Sequence, residues 1–144
     1  MDNNTLMYTT ETGATITRAH PTDAGADLRT PYDVTIHPGD MEVIDTGIAV
    51  TIPAGHVGLV FVRSSMGIKR RCTLANGTGV IDQDYRGTIK VAVVNGGHED
   101  VELEAGERVA QLVIVPCATP VPQAVDTLDE TGRGMGGVGS TGRL

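Results

Sequence analysis

The sequence predicts an all-β protein, a sandwich or barrel built from many short strands. Apolar residues alternate with polar ones or occur in short blocks, and no long stretch repeats them with helical spacing. Strong turn sequences separate these blocks, notably His37–Asp40, Pro53–Gly55 and Asn95–Gly97. Regularly spaced short strands with frequent turns are typical of β-sandwiches and β-barrels.

The candidate strands are short segments rich in Val, Ile and Thr, side chains that suit a pleated sheet. In chain order they are 8–10, 15–18, 26–28, 34–36, 42–45, 48–51, 58–62, 72–74, 80–81, 89–95, 101–103 and 108–115. The sequence predicts no long helix between them.

The composition changes after the last candidate strand. Pro116, Pro120 and Pro122 favour an extended path, and 131–144 is dominated by glycine. A chain of 144 residues suits one domain. We therefore expect a β core over 1–115 and, within the same domain, a flexible C-terminal arm over 116–144 that ends in a glycine-rich lid.

Charge and hydropathy exclude several classes of function. The formal net charge is -7, which argues against nucleic acid as a partner because proteins that bind it are usually basic. No apolar run approaches the roughly 20 residues of a membrane-spanning helix. The polar, acidic start Met1–Asn4 does not resemble a secretory signal. We therefore expect a cytoplasmic protein, or one of the host cytoplasm if its source is viral.

Cys72 and Cys117 lie far apart, and the histidines are scattered. No zinc-ligand spacing appears. Both thiols are expected to be reduced and buried as small apolar groups.

The most informative stretch is Gly79–Gly87, in which Asp82 precedes Tyr85 by three residues. The chain has one Phe, three Tyr and no Trp, so an aromatic ring in a glycine-bounded turn is unusual here. A carboxylate beside a ring suits a small-molecule site with a base and a wall. The alternative interpretation is a β-hairpin whose Asp84 supports the turn and whose Tyr85 packs on a strand.

Positive charge for an anionic substrate is available locally. Arg63 and the run Lys69–Arg71 form the densest basic cluster, although such a run is also typical of a solvated turn. The glycine-rich end with Arg133 suits a segment whose backbone N–H groups wrap phosphates. A tail without function is the alternative.

Five separated segments together resemble the homotrimeric dUTP pyrophosphatases (dUTPases), and they span nearly the whole chain. They are Asp23–Leu28, Arg63–Gly67, Gly79–Gly87, Gly106–Leu112 and Arg133–Gly142. The resemblance implies a jelly-roll β-barrel that assembles as a homotrimer with shared active sites. It also implies the reaction, in which water attacks the α-phosphorus of dUTP and releases dUMP and pyrophosphate. That reaction keeps uracil out of DNA and supplies dUMP for thymidylate synthesis.

The resemblance assigns roles to individual residues. Asp82 is the general base, since water needs a positioned base to become a good nucleophile. Arg63, Ser64, Ser65, Gln111 and Arg133 surround the phosphates. Mg²⁺ is the implied cofactor, held mainly by phosphate oxygens and water, in keeping with its reluctance to dehydrate.

The resemblance also assigns the selectivity. Tyr85 packs against the deoxyribose and excludes a ribose 2′-hydroxyl. Uracil is recognised by a hairpin over Asn76–Gly79, with Asn76 and Gly79 at the base, although Asn-Gly is equally an ordinary turn sequence. Val138 stands where the family's arm usually carries an aromatic residue that stacks on uracil, so base stacking by the lid is lost.

Two further charged residues are supporting candidates. Asp27 matches the carboxylate of the first segment and is expected to hold a phosphate-side arginine or a metal-bound water. A strand-end aspartate without function is the alternative. Arg108, in the fourth segment, is expected near the phosphates or in a structural ion pair.

Two other functions remain open at this point. A dCTP deaminase would share the fold, but its proton-shuttling glutamate falls at Ala92 in this sequence. The other alternative is a dUTPase-like binding module that signals to a protein partner, as several viral relatives suggest. Intact Asp82, Tyr85 and Gln111 favour catalysis.

Overall fold

The computed structural model describes residues 5–138 and 140–141. Eleven strands and one short helix lie in this part of the chain: β1 Met7–Thr10, β2 Ala26–Arg29, β3 Val34–Ile36, β4 Met41–Asp45, β5 Ile48–Thr51, β6 His56–Val62, α1 Ser64–Arg70, β7 Cys72–Leu74, β8 Gly79–Ile81, β9 Lys90–Asn95, β10 Val101–Leu103 and β11 Arg108–Pro116. Residues 1–4, Gly139 and 142–144 fall outside the described part. The predictions made for Met1–Asn4 and for part of the glycine-rich segment 131–144 therefore lie outside the described residues.

All strand pairing in the described chain is antiparallel, in four sheets. The largest has the order β2-β11-β6-β8, and a second has the order β4-β9-β7. Two further pairs are β1-β5 and β10-β3. The predicted all-β, jelly-roll type of fold is confirmed, although these sheets do not close into one continuous barrel.

The predicted secondary structure differs from the observed one in two places. The predicted strand at 15–18 is wrong, because only one isolated bridge forms there, between Thr17 and Asp27. Helix α1 was not predicted. It has seven residues with Gly67 in the middle, too short for a periodic pattern, and Met66 is its only buried side chain. Packing of that methionine, rather than intrinsic propensity, accounts for the helix.

One apolar core joins the sheets. Leu28 and Leu112 from the large sheet, Val91 and Val93 from β9, and Ile48 from β5 all belong to a single buried cluster. Their burial follows the two-residue period of the strands, since β9 buries every second side chain. The sheets are therefore faces of one domain, and the strand ends that carry the candidate site are fixed by this packing.

Asn95 is a buried polar residue whose side chain is fully used. Its amide nitrogen donates to the carbonyls of Ile36 and Glu99, both at 2.8 Å, and its oxygen accepts from Gly97 N–H at 2.8 Å. The side chain of Asn95 thereby joins β9 to Ile36 of β3 and to the turn that contains Gly97 and Glu99, and it has no solvent exposure.

We expect Asn95→Ala to lower the free energy of unfolding by about 2–4 kcal/mol, because buried groups left without partners carry their full desolvation cost. Chemical denaturation measures it. Asn76→Ala, at an exposed asparagine, is the control and is expected to change stability little. Equal stability of the two variants would contradict the role given to Asn95.

Beyond Pro116 the described residues form no helix or strand, and nearly all of them are exposed. The hydrogen bond from Cys117 N–H to Gly55 O, at 2.9 Å, lies just beyond the end of β11.

Both cysteines are free, as predicted, but only Cys72 is buried. The expected burial of Cys117 is wrong because this residue lies in the exposed segment after Pro116. Burial raises the pKa of the Cys72 thiol.

No described helix is long and apolar enough to cross a membrane.

Candidate active site

A buried carboxylate organises the arginines at one end of the large sheet. Asp27, on β2, is 7% exposed. Its Oδ1 lies 3.0 Å from Nε of Arg63, and its Oδ2 accepts from Nη1 of Arg108 at 3.1 Å. Each carboxylate oxygen is therefore used by one guanidinium. Two like charges are held side by side on this surface, and an unpaired carboxylate at such a site would be costly.

Arg63 lies between the end of β6 and the start of α1, and its backbone is fixed there by two hydrogen bonds. Its backbone N–H donates to Val109 O at 3.3 Å, and its carbonyl accepts the first helical hydrogen bond from Gly67, at 3.0 Å. Ser64 and Ser65 are the first residues of α1 and are exposed. These three predicted phosphate-binding residues are thus brought together.

Two other basic residues of the predicted cluster, Arg70 and Arg71, have a different environment. Arg70 lies 2.9 Å from Oε1 of Glu107 and donates to the carbonyl of Glu102 at 3.1 Å. Arg71 ends α1 in the left-handed conformation, with φ 57°. Arg70 and Arg71 therefore have structural contacts at the end of the helix, and of that cluster Arg63 is the residue that pairs with Asp27.

Gln111 joins the arginine group through strand register. It pairs with Asp27 on β2 and with Phe61 on β6. Its side chain lies against the backbone of Gly25, where an added Cβ would overlap Oε1 of Gln111 and stand 3.0 Å from its Cδ. Only a glycine at position 25 allows Gln111 this position. Gly25 lies in the segment Asp23–Leu28. The sequence alone gives this glycine no role, because its contact with Gln111 forms only in the folded chain.

Asp82 and Tyr85 lie on one hydrogen-bonded turn after β8. Tyr85 N–H donates to Asp82 O at 3.2 Å. Nη1 of Arg86 donates to the carbonyls of Gln83 and Tyr85, each at 2.8 Å, and the side chain of Gln83 accepts from Gly55 N–H at 3.3 Å. The turn is therefore well supported, and it presents both the Asp82 carboxylate and the Tyr85 ring to solvent.

The segment predicted to read the base is not a hairpin. β7 pairs with β9, whereas β8 pairs with β6, so 75–78 connects two different sheets. Within it Gly77 N–H donates to Leu74 O at 2.9 Å, and Gly77 has φ +70°. The predicted hairpin is wrong because both flanking strands found partners distant in sequence. Gly79 instead begins β8, the edge strand of the large sheet.

The described chain separates the predicted site into two groups. Asp27, Gln111 and Phe61 share one level of the large sheet, and Asp82 follows Ile81, which pairs with Gly58. Three strand spacings across the sheet, with about four residues along it, separate Asp27 from Asp82 by roughly 20 Å.

The arm stands apart from both groups. Nε of Arg133 donates to Gly136 O at 2.9 Å, within its own turn. Val138 is fully exposed. Neither residue is brought to the arginines or to Asp82 within the described part of one chain.

A family model described as dUTPase matches residues 11–142. The chain belongs to the dUTPase family. A deoxyuridine 5′-triphosphate nucleotidohydrolase of Corynebacterium jeikeium is 48% identical over 129 residues, covering 87% of this chain and 83% of the relative. One from Desulfitobacterium hafniense is 49% identical over 127 residues, covering 86% of this chain and 84% of the relative.

Solved dUTPase structures agree. The dUTPase of Staphylococcus bacteriophage 80alpha with dUpNHpp has a TM-score of 0.88 at 32% identity and covers 96% of this chain and 99% of that one. A mutant dUTPase from phage phi11 of S. aureus, described for its coordination of a structural Mg(II) ion, has a TM-score of 0.78 at 30% identity, with coverage of 86% and 98%. The predicted family is confirmed.

The donor set of this dUTPase-family chain does not resemble a protein metal cage. Among the described residues no three His, Cys, Asp or Glu side chains gather closely enough to bind an ion. Both oxygens of Asp27 are already used by arginines. Such a surface fits Mg²⁺ only if phosphate oxygens and water supply most of its ligands.

We expect Gly25→Ala to lower kcat/KM for dUTP by roughly 10- to 100-fold, the loss associated with one hydrogen bond to a charged group. The added methyl group displaces Gln111 from its place beside Asp27. A double-mutant cycle checks this: in a Gln111→Ala background, Gly25→Ala is expected to cost little more, because the overlapping amide is gone. Full additivity of the two losses would contradict the role given to Gly25.

Proposed function

We propose that this protein hydrolyses dUTP to dUMP and pyrophosphate. The observation that carries the proposal is the turn at 82–85, which presents an exposed carboxylate and an aromatic ring together in a member of the dUTPase family. The same reaction limits the uracil available for incorporation into DNA and supplies dUMP.

Asp82 takes the proton of the attacking water. Its carboxylate is open to solvent, so a water molecule can reach it. A base in hydrogen-bond reach contributes about 10²- to 10⁴-fold to such a reaction. The water then attacks the α-phosphorus, and pyrophosphate leaves with the additional negative charge.

The arginine group stabilises that charge. Asp27 holds Arg63 and Arg108 in place by ion pairs of 3.0 and 3.1 Å, so the donors do not have to reorganise during the reaction. Arg63, Ser64, Ser65 and Gln111 bind the phosphates. Asp27 and Arg108 have the supporting role of orienting these donors.

Mg²⁺ is the proposed cofactor. When bound by the substrate, it neutralises phosphate charge and orients the triphosphate. The residues proposed to stand around the phosphates are arginine, serine and glutamine, all of which can donate hydrogen bonds to phosphate oxygens.

Tyr85 selects the sugar and β8 selects the base. The exposed ring forms a wall that a 2′-hydroxyl would meet. Gly79 lies on an edge strand, whose outer backbone groups suit the donor and acceptor pattern of uracil, and Asn76 adds its side-chain amide from the preceding turn.

A homotrimer completes the site. A general base works within about 3 Å of its proton, whereas Asp82 and Asp27 of one chain lie roughly 20 Å apart by strand spacing. The three surface grooves found on the described part of the single chain are lined by none of Arg63, Asp82 or Tyr85. Both observations support a site in which one subunit supplies Asp82 and Tyr85 and a neighbour supplies the arginine group.

The arm is proposed to cross to a neighbouring subunit and close over the nucleotide. Its apolar side chains Val121 and Leu128 are 90% and 84% exposed on the single chain, which suits burial against another subunit. Arg133 then approaches the γ-phosphate, and Val138 covers the base without stacking on it. The proposed units are a core over 1–115 and this arm over 116–144.

The cytoplasm, or the host cytoplasm for a viral source, is the proposed place of action, with a protein partner as a further role if the source is viral. The deaminase alternative is not favoured, because the relatives named above are dUTP nucleotidohydrolases. Signalling without catalysis is not favoured either.

The purified chain tests the proposal directly. With Mg²⁺, release of pyrophosphate from dUTP is expected to be fast, and release from UTP, dCTP and dTTP slow. Ammonia release from dCTP would instead indicate a deaminase. Light scattering is expected to give the mass of a trimer, and a fully active monomer would contradict the shared site.

A further inference from the structure

The ring of Tyr85 is hydrogen-bonded through its hydroxyl group and lies close to the backbone that follows it. Its Oη donates to the carbonyl of Thr88 at 3.0 Å. A Cβ added to Gly87 would overlap the Tyr85 hydroxyl and stand 2.7 Å from Cζ, so the ring lies directly on this glycine. The backbone between ring and acceptor is therefore part of the wall that meets the sugar.

This close approach has a disadvantage. Glycine has the greatest backbone freedom of all residues, so packing against Gly87 does not by itself fix the position of the ring. A wall that rejects one hydroxyl group must not move by the size of that group, because a displaced ring would leave room for the hydroxyl. Thr88, which follows Gly87 and accepts the hydrogen bond from the Tyr85 hydroxyl, therefore needs an anchor, meaning contacts that hold it in place.

Thr88 has such an anchor in an ion pair. Its Oγ1 donates to Oδ2 of Asp45 at 3.0 Å, and Nζ of Lys90 lies 2.9 Å from the same oxygen. Lys90 also donates to Oγ1 of Thr88 at 3.3 Å. The backbone N–H of Gly47, with smaller contributions from Lys90 and Thr88, lowers the pKa of Asp45, and Asp45 raises the pKa of Lys90. Both partners are thus charged at neutral pH.

The anchor is itself fixed to the core. Oδ1 of Asp45 accepts from Gly47 N–H at 3.0 Å. Thr46 is fully buried, and its Oγ1 donates to Ile89 O at 2.8 Å, while Ile89 N–H donates to Ile48 O at 2.7 Å. The β4–β5 turn therefore holds the residue next to Thr88 through main-chain and side-chain bonds.

We propose that Asp45, Thr88 and Lys90 are positioning residues that immobilise the Tyr85 ring and thereby set the preference for deoxyribose over ribose. The inference rests on the proposed function, since it concerns the same substrate. The three residues act through Tyr85 and do not touch the nucleotide. All three lie outside the five segments that carry the family resemblance, whereas Tyr85 lies inside one of them.

The test is the ratio of kcat/KM for dUTP to kcat/KM for UTP. Thr88→Val removes the hydroxyl at constant shape, and we expect it to lower the ratio roughly three- to ten-fold, the size of one lost hydrogen bond. Thr88→Ser keeps the hydroxyl and is expected to keep the parent ratio. Asp45→Asn is expected to lower the ratio as Thr88→Val does, and Tyr85→Ala marks complete loss of the wall.

Asp100→Asn is the matched control. Asp100 pairs with His37 at 2.9 Å and is 48% exposed, against 42% for Asp45, and it lies away from Tyr85. We expect the Asp100→Asn variant to keep the parent ratio of kcat/KM for dUTP to kcat/KM for UTP. An unchanged ratio in folded Thr88→Val and Asp45→Asn would overturn the inference, as would equal losses in Thr88→Val and Thr88→Ser. If Thr88→Val does not fold, Asp45→Asn decides.

The parent enzyme separates this inference from the proposed function. A parent chain that does not hydrolyse dUTP, or that hydrolyses UTP equally well, contradicts the proposed function itself. A selective parent with variants that remain equally selective contradicts only the role of the three residues.

Discussion

Asp82→Asn is expected to lower kcat for dUTP by at least about 10²- to 10⁴-fold, the range associated with loss of a general base. The substitution keeps the size of the side chain and removes its ability to take a proton. Asp82 contributes its backbone carbonyl to the turn, through the bond from Tyr85 N–H, and that bond is unaffected. Binding of a non-hydrolysable dUTP analogue should therefore persist while turnover is lost.

Asp84→Asn provides the comparison. It lies two residues away on the same exposed turn and has no role in the proposed chemistry. Steady-state kinetics and analogue binding measured on both variants separate a chemical effect from a change in local charge. Near-parent turnover in Asp82→Asn, or equal losses in the two variants, would show that another group activates the water.

Deleting everything after Glu130 is expected to leave a folded protein whose turnover falls on the order of 10²-fold or more. Residues 131–138 bury almost none of their surface within the chain, so the core loses little by their removal. Arg133 is lost with them, and removing one donor that stabilises transition-state charge costs about 10²- to 10³-fold.

Two point variants divide the effect of the deletion. Arg133→Ala is expected to reproduce most of the loss in turnover. Val138→Phe is expected to tighten binding of a dUTP analogue, since stacking of an aromatic ring on a base is worth about 1–3 kcal/mol in single-strand binding proteins. Thermal melting checks that the deleted protein is folded. Full activity after deletion would show that the arm has no part in the reaction.

The sequence alone was sufficient for the fold class and most strands because the two-residue period and the turn residues are local properties. All predicted strands except 15–18 appear in the structure. That segment fails because a strand needs a partner along its length, and only Thr17 found one. Helix α1 was missed for the opposite reason, since the burial of Met66 is a tertiary property.

The family and its candidate residues were also readable from the sequence, because five segments in order are a property of the chain itself. The sequence could not show that Asp27 binds two arginines, since β2, β6 and β11 meet only in the folded sheet. It left the structural and functional interpretations of Asp27 and Arg108 open for the same reason.

Contacts between distant segments decided the remaining features. Gly25 matters because Gln111 lies against it, and Thr88 matters because Asp45, 43 residues away, accepts its hydroxyl hydrogen. The hairpin expected at 76–79 became a link between two sheets when β7 and β8 paired with strands far along the chain. Local sequence sets the strands, turns and chemical groups of this protein, and the long-range pairing of its strands determines which of those groups act together.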